Sequence, residues 1–137
     1  MRKLLTAILC AVVVITIGCE KPLHQIIKAD KSLSQYIAGD STAINQSILQ
    51  NAIDACNNND TLWLETGVYF SNPQEFIEGL CGNCSEHQTE VYASTGFVIK
   101  DKSLTIIGRG KDSTILITGA GYGVYFENAD QSSLLNL

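Results

Sequence analysis

Gly39-Asp40-Ser41-Thr42, then Ile44, Ile48, Ala52, Ile53 and Cys56, then Asn57-Asn58-Asn59-Asp60, Leu62-Trp63-Leu64, Gly67 and Val68-Tyr69-Phe70 form the stretch that decides the fold. The apolar positions recur at three- and four-residue intervals and fall on one helical face. Asn45, Gln46, Gln50, Asn51 and Asp54 fall largely on the other. Asp40, Ser41 or Thr42 can cap the free amides of this helix, and the Asn-rich run supplies its exit, which predicts a helix over residues 42–57. An amphipathic helix followed by a Trp-centred strand, a Gly turn and a second strand reads as a lid on stacked β-structure. The open end of such a stack exposes apolar side chains and unpaired backbone groups, and a short helix laid across it covers both.

From Phe97 onward come short runs rich in β-branched residues: Phe97-Val98-Ile99, Leu104-Thr105-Ile106-Ile107, Thr114-Ile115-Leu116-Ile117, Val124-Tyr125-Phe126 and Leu134-Leu135. Lys100-Asp101-Lys102, Gly108-Arg109-Gly110-Lys111-Asp112, Gly119-Ala120-Gly121 and Asn128-Ala129-Asp130 separate them as turns. The later strand centres recur about every ten residues, the spacing of all-β folds, sandwiches and barrels included.

Gly39-Asp40-x-Thr42, Ile48 to Cys56, Thr61-Leu62-Trp63-Leu64-Glu65-Thr66-Gly67-Val68-Tyr69 and Leu104-Thr105-Ile106-Ile107-Gly108-x-Gly110 together resemble the N-terminal region of the pectin-lyase-like right-handed parallel β-helix superfamily, which includes pectate-lyase-like and polygalacturonase-like enzymes. The resemblance implies an all-β fold: the N-terminal coils of a right-handed parallel β-helix behind an amphipathic capping helix. It covers residues 39–137, with 71–96 as a loop insertion. It also implies polysaccharide, acidic or plant-type, as the partner, and a glycoside hydrolase or lyase as the full-length protein. The alternative is a non-catalytic surface β-helix for glycan binding or adhesion, because one scaffold carries many activities.

The first residues set the compartment. Arg2-Lys3 precede an apolar run from Leu4 to Ile17, and Gly18-Cys19 follow, the layout of a cleaved signal over residues 1–18. The run is too short to cross a hydrocarbon core of about 30 Å. A small residue before Cys resembles a lipoprotein cleavage box, so Cys19 is the expected lipidation site. Acyl chains contribute about 0.8 kcal/mol per buried methylene and together anchor the chain to a bacterial envelope membrane. An ordinary secretory signal is the other reading. Residues 19–38 then link anchor to domain, although Leu23, Ile26, Ile27, Leu33, Tyr36 and Ile37 are apolar enough for part of the linker to pack as a strand or helical turn.

The whole chain has nine basic and fourteen acidic residues, and losing Arg2 and Lys3 with the signal leaves seven against fourteen, a mature charge of −7. That balance lacks the basic stripe that phosphate binding requires and argues against nucleic acid.

Glycosidic cleavage by acid–base chemistry needs two carboxyl groups at a set separation. No such pair is legible, so no catalytic residue, metal ligand or cofactor is assigned. Asp101, Asp112 and Asp130 sit in turn signals, where a short carboxylate caps local amides. Arg109 lies between two glycines, as in a tight turn. His24 and His87 read as isolated surface residues, and Trp63 as packing or a sugar-stacking ring. Cys81-Gly82-Asn83-Cys84-Ser85-Glu86-His87 contains C-x-x-C-x-x-H. In an exported protein a disulfide among Cys81, Cys84 and Cys56 is favoured, with zinc binding or free thiols as alternatives. Ser133-Leu134-Leu135-Asn136-Leu137 resembles a strand without a polar cap. The expectation is therefore an N-terminal portion of a longer protein, inactive by itself, with a complete small domain as the alternative.

Overall fold

A computed structural model of the chain describes residues 24–39, 47–81 and 88–137, apart from the side chains of Leu80 and Cys81. The expected signal over 1–18, Cys19, the caps Asp40, Ser41 and Thr42, Ile44, Cys84 and His87 lie outside the described residues.

The fold is all-β. Its elements are β1 (His24–Ile27), α1 (Leu33–Ile37), α2 (Ile48–Ala55), β2 (Asp60–Leu64), β3 (Gly67–Phe70), β4 (Gln74–Cys81), β5 (Thr89–Lys100), β6 (Leu104–Ile107), β7 (Thr114–Ile117), β8 (Tyr122–Glu127) and β9 (Ser133–Leu135). They form three small sheets, ordered β1-β2-β6-β9, β3-β7 and β4-β5-β8. The first two are parallel throughout, whereas the third is mixed, with β4 antiparallel and β8 parallel to β5.

Side-chain alternation fixes the register. Leu62 lies beside Ile106 and Ile106 beside Leu134, all pointing inward, while Trp63, Ile107 and Leu135 share the outer face. A slip of one residue would turn Leu62 and Leu64 out to water. Tyr69, Phe97, Leu49, Ile53, Leu62, Leu64, Ile99, Leu104 and Ile106 make a sealed core. Tyr69 can be buried because its hydroxyl lies 2.8 Å from the Ile27 carbonyl and 3.0 Å from that of Glu65.

Segments N-terminal to β2 extend or close strands of all three sheets. β1 pairs with β2. Lys31 exchanges backbone hydrogen bonds with Val68 at 2.8 and 3.2 Å, and the Phe70 N–H donates to Asp30 Oδ2 at 2.8 Å, so residues 30–31 close β3. Gly67 makes this approach possible: a Cβ there would stand 2.4 Å from Ala29 Cβ, and its φ of +142° suits glycine. On β5, Gln50 of α2 acts as a strand of one residue. Its Oε1 accepts from Val98 N at 2.9 Å and its Nε2 donates to Val98 O at 3.0 Å.

The helix is shorter than its pattern predicts. It starts at Ile48 behind Ser47, whose hydroxyl accepts from the Gln50 amide at 3.1 Å, and it ends at Ala55. Ser47-x-x-Gln50 has the spacing of a capping box, but Gln50 is spent on β5 instead of on the cap. The buried face consists of Leu49, Ala52 and Ile53, continued by buried Cys56, while Ile48 is 45 % exposed. Ala52, Ile53 and Cys56 thus face inward as predicted, and Leu49 takes the buried place expected of Ile48. Lys102 closes the far end of α2, its Nζ donating to the carbonyls of Ile53, Asp54 and Cys56 at 3.1, 3.1 and 2.9 Å. It thereby satisfies acceptors that a helix terminus leaves without partners.

One further expectation changes. Residues 71–96, read as a loop, contain β4 and the first half of β5, an antiparallel hairpin running from the Gln74–Thr95 pair to Cys81–Thr89. Glu75, Ile77, Glu78, Glu90 and Tyr92 are all exposed, so the hairpin buries no face that would print an alternating pattern. The linker also carries structure: β1, and α1 behind a Ser32–Gln35 capping box.

At the opposite end the interior is less covered. Phe126, partner of buried Ile99, is 44 % exposed, and Leu116, Leu134 and Leu137 are only partly buried.

Candidate functional site

The hairpin creates a groove that the rest of the sheet lacks. β4 runs along one side of β5 and β8 along the other, so outward residues of three strands converge there. Gln74, Glu75 and Phe76 come from β4, Thr95 and Val98 from β5, and Tyr125 and Glu127 from β8; together they line a cavity of about 260 Å³. Val98 and Tyr125 are register partners, as are Lys100 and Glu127. Beneath them Gly96 allows close packing, since a Cβ there would meet the Gly123 carbonyl oxygen at 2.4 Å.

The Phe76 and Tyr125 rings line the groove, and Tyr122 packs against both. Phe76 lies 5.9 Å from Tyr125 and 6.2 Å from Tyr122, and the two tyrosines are 5.7 Å apart, all tilted. These are the spacings of favourable aromatic pairs. Tyr122 donates its hydroxyl to Glu78, which raises its pKa. Tyr92 does the same with Glu90 at 2.6 Å, with the same direction of shift. Both phenols therefore stay protonated at neutral pH. Lys100 Nζ meets Glu127 Oε1 at 2.6 Å, which raises the lysine pKa. A second depression of about 200 Å³, lined by Glu75, Tyr92, Ala93, Ser94 and Gly121, shares Glu75 with the first.

A smaller cluster lies on the outer face of the β1-β2-β6-β9 sheet. Trp63 is not a core residue: it points outward and donates its indole N–H to His24 Nδ1 at 3.1 Å. The Arg109 guanidinium lies 5.9 Å from the Trp63 ring centre. His24, Trp63 and Arg109, which read as unrelated in sequence, are thus neighbours.

The cysteines do not assemble among the described residues. Cys56 is a free, buried thiol at the C-cap of α2, while Cys84 and the side chain of Cys81, the other members of the expected disulfide set, lie outside the described residues. Burial, followed by the Asp60 carboxylate, pushes the Cys56 pKa up and makes it a poor nucleophile. Cys81 ends β4 opposite Thr89. Among the described residues, no three His, Cys, Asp or Glu side chains are grouped to hold a metal ion. Asp101 is a turn residue, with φ of 54° and its Oδ1 accepting from Asn128 Nδ2 at 2.9 Å.

Phe76, Glu75, Tyr122, Tyr125 and Glu127 were not legible as a site. Their one sequence signal is the alternation of Val124, Tyr125 and Phe126, which places Tyr125 outward. No protein-family model, curated protein or solved structure matches the chain.

Proposed function

We propose that this chain forms the cap and first turns of a right-handed parallel β-helix, in an exported protein tethered to a bacterial envelope membrane through Cys19, and that the protein acts on polysaccharide. Parallel register supports the coiled reading. Phe97 with Val124 and Ile106 with Leu134 are 27 and 28 residues apart, a constant step from one layer to the next. Leu62 with Ile106 and Val68 with Ile115 are 44 and 47 apart because the hairpin intervenes.

The observation that carries the functional reading is the groove lined by the Phe76 and Tyr125 rings together with Glu75 and Glu127. A pyranose ring has an apolar C–H face and a rim of hydroxyls. Aromatic faces attract the first, carboxylates and amides the second. These residues supply binding, and the same groove serves the alternative of a non-catalytic adhesin. The ion pair of Glu127 with Lys100 favours that alternative for this part of the chain, because it engages one carboxylate in holding a surface.

Affinity electrophoresis of the purified protein through gels containing a panel of soluble neutral and acidic polysaccharides tests the reading. At least one should retard the protein, and Tyr125→Ala should abolish most of that retardation. Normal mobility in every gel refutes it.

A further inference from the structure

Resting on the glycan reading of the groove, we infer that its ligand is an uncharged polysaccharide, bound over two successive rings, and not a polyuronate. The first argument is charge. Glu75 and Glu127 line the cavity and Glu78 holds the adjoining Tyr122, whereas no Lys or Arg contributes to the lining. Lys100, the cation beside it, is already paired with Glu127. A uronate carboxylate stacked near Tyr125 would face the negative π-face and the Glu75 carboxylate, with no Lys or Arg in the lining to receive it.

The second argument is hydrogen bonding. Sugar hydroxyls are donors, and ionised carboxylates are the strongest acceptors a protein offers. Glu75, Glu127 and Gln74 line the cavity together with the Phe76 and Tyr125 rings, a combination that matches hydroxyls around an apolar sugar ring. The third is size. At about 260 Å³ this cavity falls below the roughly 300–1,000 Å³ of sites for drug-sized ligands, so it suits one ring. The neighbouring depression of about 200 Å³ shares Glu75 and adds the Tyr92 side chain, a place for the next ring. Glu75 between the two would accept from hydroxyls on both.

The test compares a neutral probe, hydroxyethyl cellulose, with polygalacturonate at matched chain length, by affinity electrophoresis at low and high salt. The neutral chain should bind at least tenfold more tightly at low salt, and salt should narrow the gap by screening repulsion of the uronate. Glu75→Gln should weaken the neutral probe severalfold while strengthening polygalacturonate. Circular dichroism of the variant would verify the fold, and Glu75 is exposed, so the sheet should survive. Polygalacturonate binding as tightly as the neutral chain, or losing affinity in Glu75→Gln, overturns the inference but leaves glycan binding standing. Failure of both probes to bind overturns the inference, and normal mobility across the whole polysaccharide panel overturns the glycan reading as well.

Discussion

Removing the Gln50 carboxamide should unseat the lid, and the cost can be worked from its bonds. Gln50→Ala deletes two hydrogen bonds to the Val98 backbone, at 2.9 and 3.0 Å, and one to Asp54 Oδ1 at 2.8 Å. Each backbone bond is worth about 0.5–1.5 kcal/mol, and the exposed pair within the helix roughly 0.2–0.5 kcal/mol. Water can reach half-buried Val98, which limits the penalty, and alanine returns a few tenths through helix propensity. The expected loss is about 1–3 kcal/mol. With a urea slope of roughly 1–2 kcal/mol/M for a chain of this size, the midpoint falls by about 1 M without a change in slope. Trp63 fluorescence reports the transition, because the indole packs on His24 in the folded state alone. Asn51→Ala, an exposed neighbour on the same helix, is the control. Gln50→Glu adds a sign. Its carboxylate can accept from Val98 N–H but has nothing to donate to Val98 C=O and lies near Asp54. Its folded-state pKa should therefore rise above about 4.3, and its deficit relative to Gln50→Ala should shrink as pH falls from that raised pKa to about 4.3 and stay constant below it. If Gln50→Ala is no more destabilising than Asn51→Ala, the helix does not hold the edge of β5 and the argument for a lid fails.

Two other outcomes test separate parts of the fold. Lys102→Met removes three contacts to the last carbonyls of α2 and should cost about 1.5–3 kcal/mol, with faster hydrogen exchange throughout the helix; Lys102→Arg should recover part of the loss. Burial pushes Tyr69 up to about 12 from an ordinary value of 10.0, so between these values the folded state holds a proton that the unfolded chain has released. Stability should then fall as pH rises from about 10 to about 12 and be fully present below that window, and this slope should be smaller in Tyr69→Phe when urea midpoints are compared.

Much of the framework was legible because it buries one face. Leu104–Ile107 and Thr114–Ile117 were read with the bounds they have, since their turns are marked by glycine and aspartate and their inward side chains are apolar. The helix start was misplaced because Ser41 and Thr42 offer the same hydroxyl chemistry as Ser47, and local pattern cannot rank three capping candidates. Its buried stripe was misassigned at one position because Ile48 and Leu49 are equally apolar. The 74–95 hairpin escaped because neither of its faces is buried, which leaves turn chemistry and backbone pairing as its only determinants. The candidate groove escaped with it, since Phe76 meets Tyr125 only after that hairpin closes on β5.

Composition and periodicity alone determined an acidic, β-rich chain with one amphipathic helix ahead of most of its strands, because burial of apolar side chains at periods of 2 and 3.6 is a local property written residue by residue. Tertiary structure alone decided that Gln50 completes β5, that Lys102 stops α2, that Cys56 is sealed as a thiol, and that rings from β4 and β8 share one wall. Each of these joins residues more than forty positions apart or removes a side chain from water. Such encounters depend on how strands are ordered across a sheet, which no window along the chain contains.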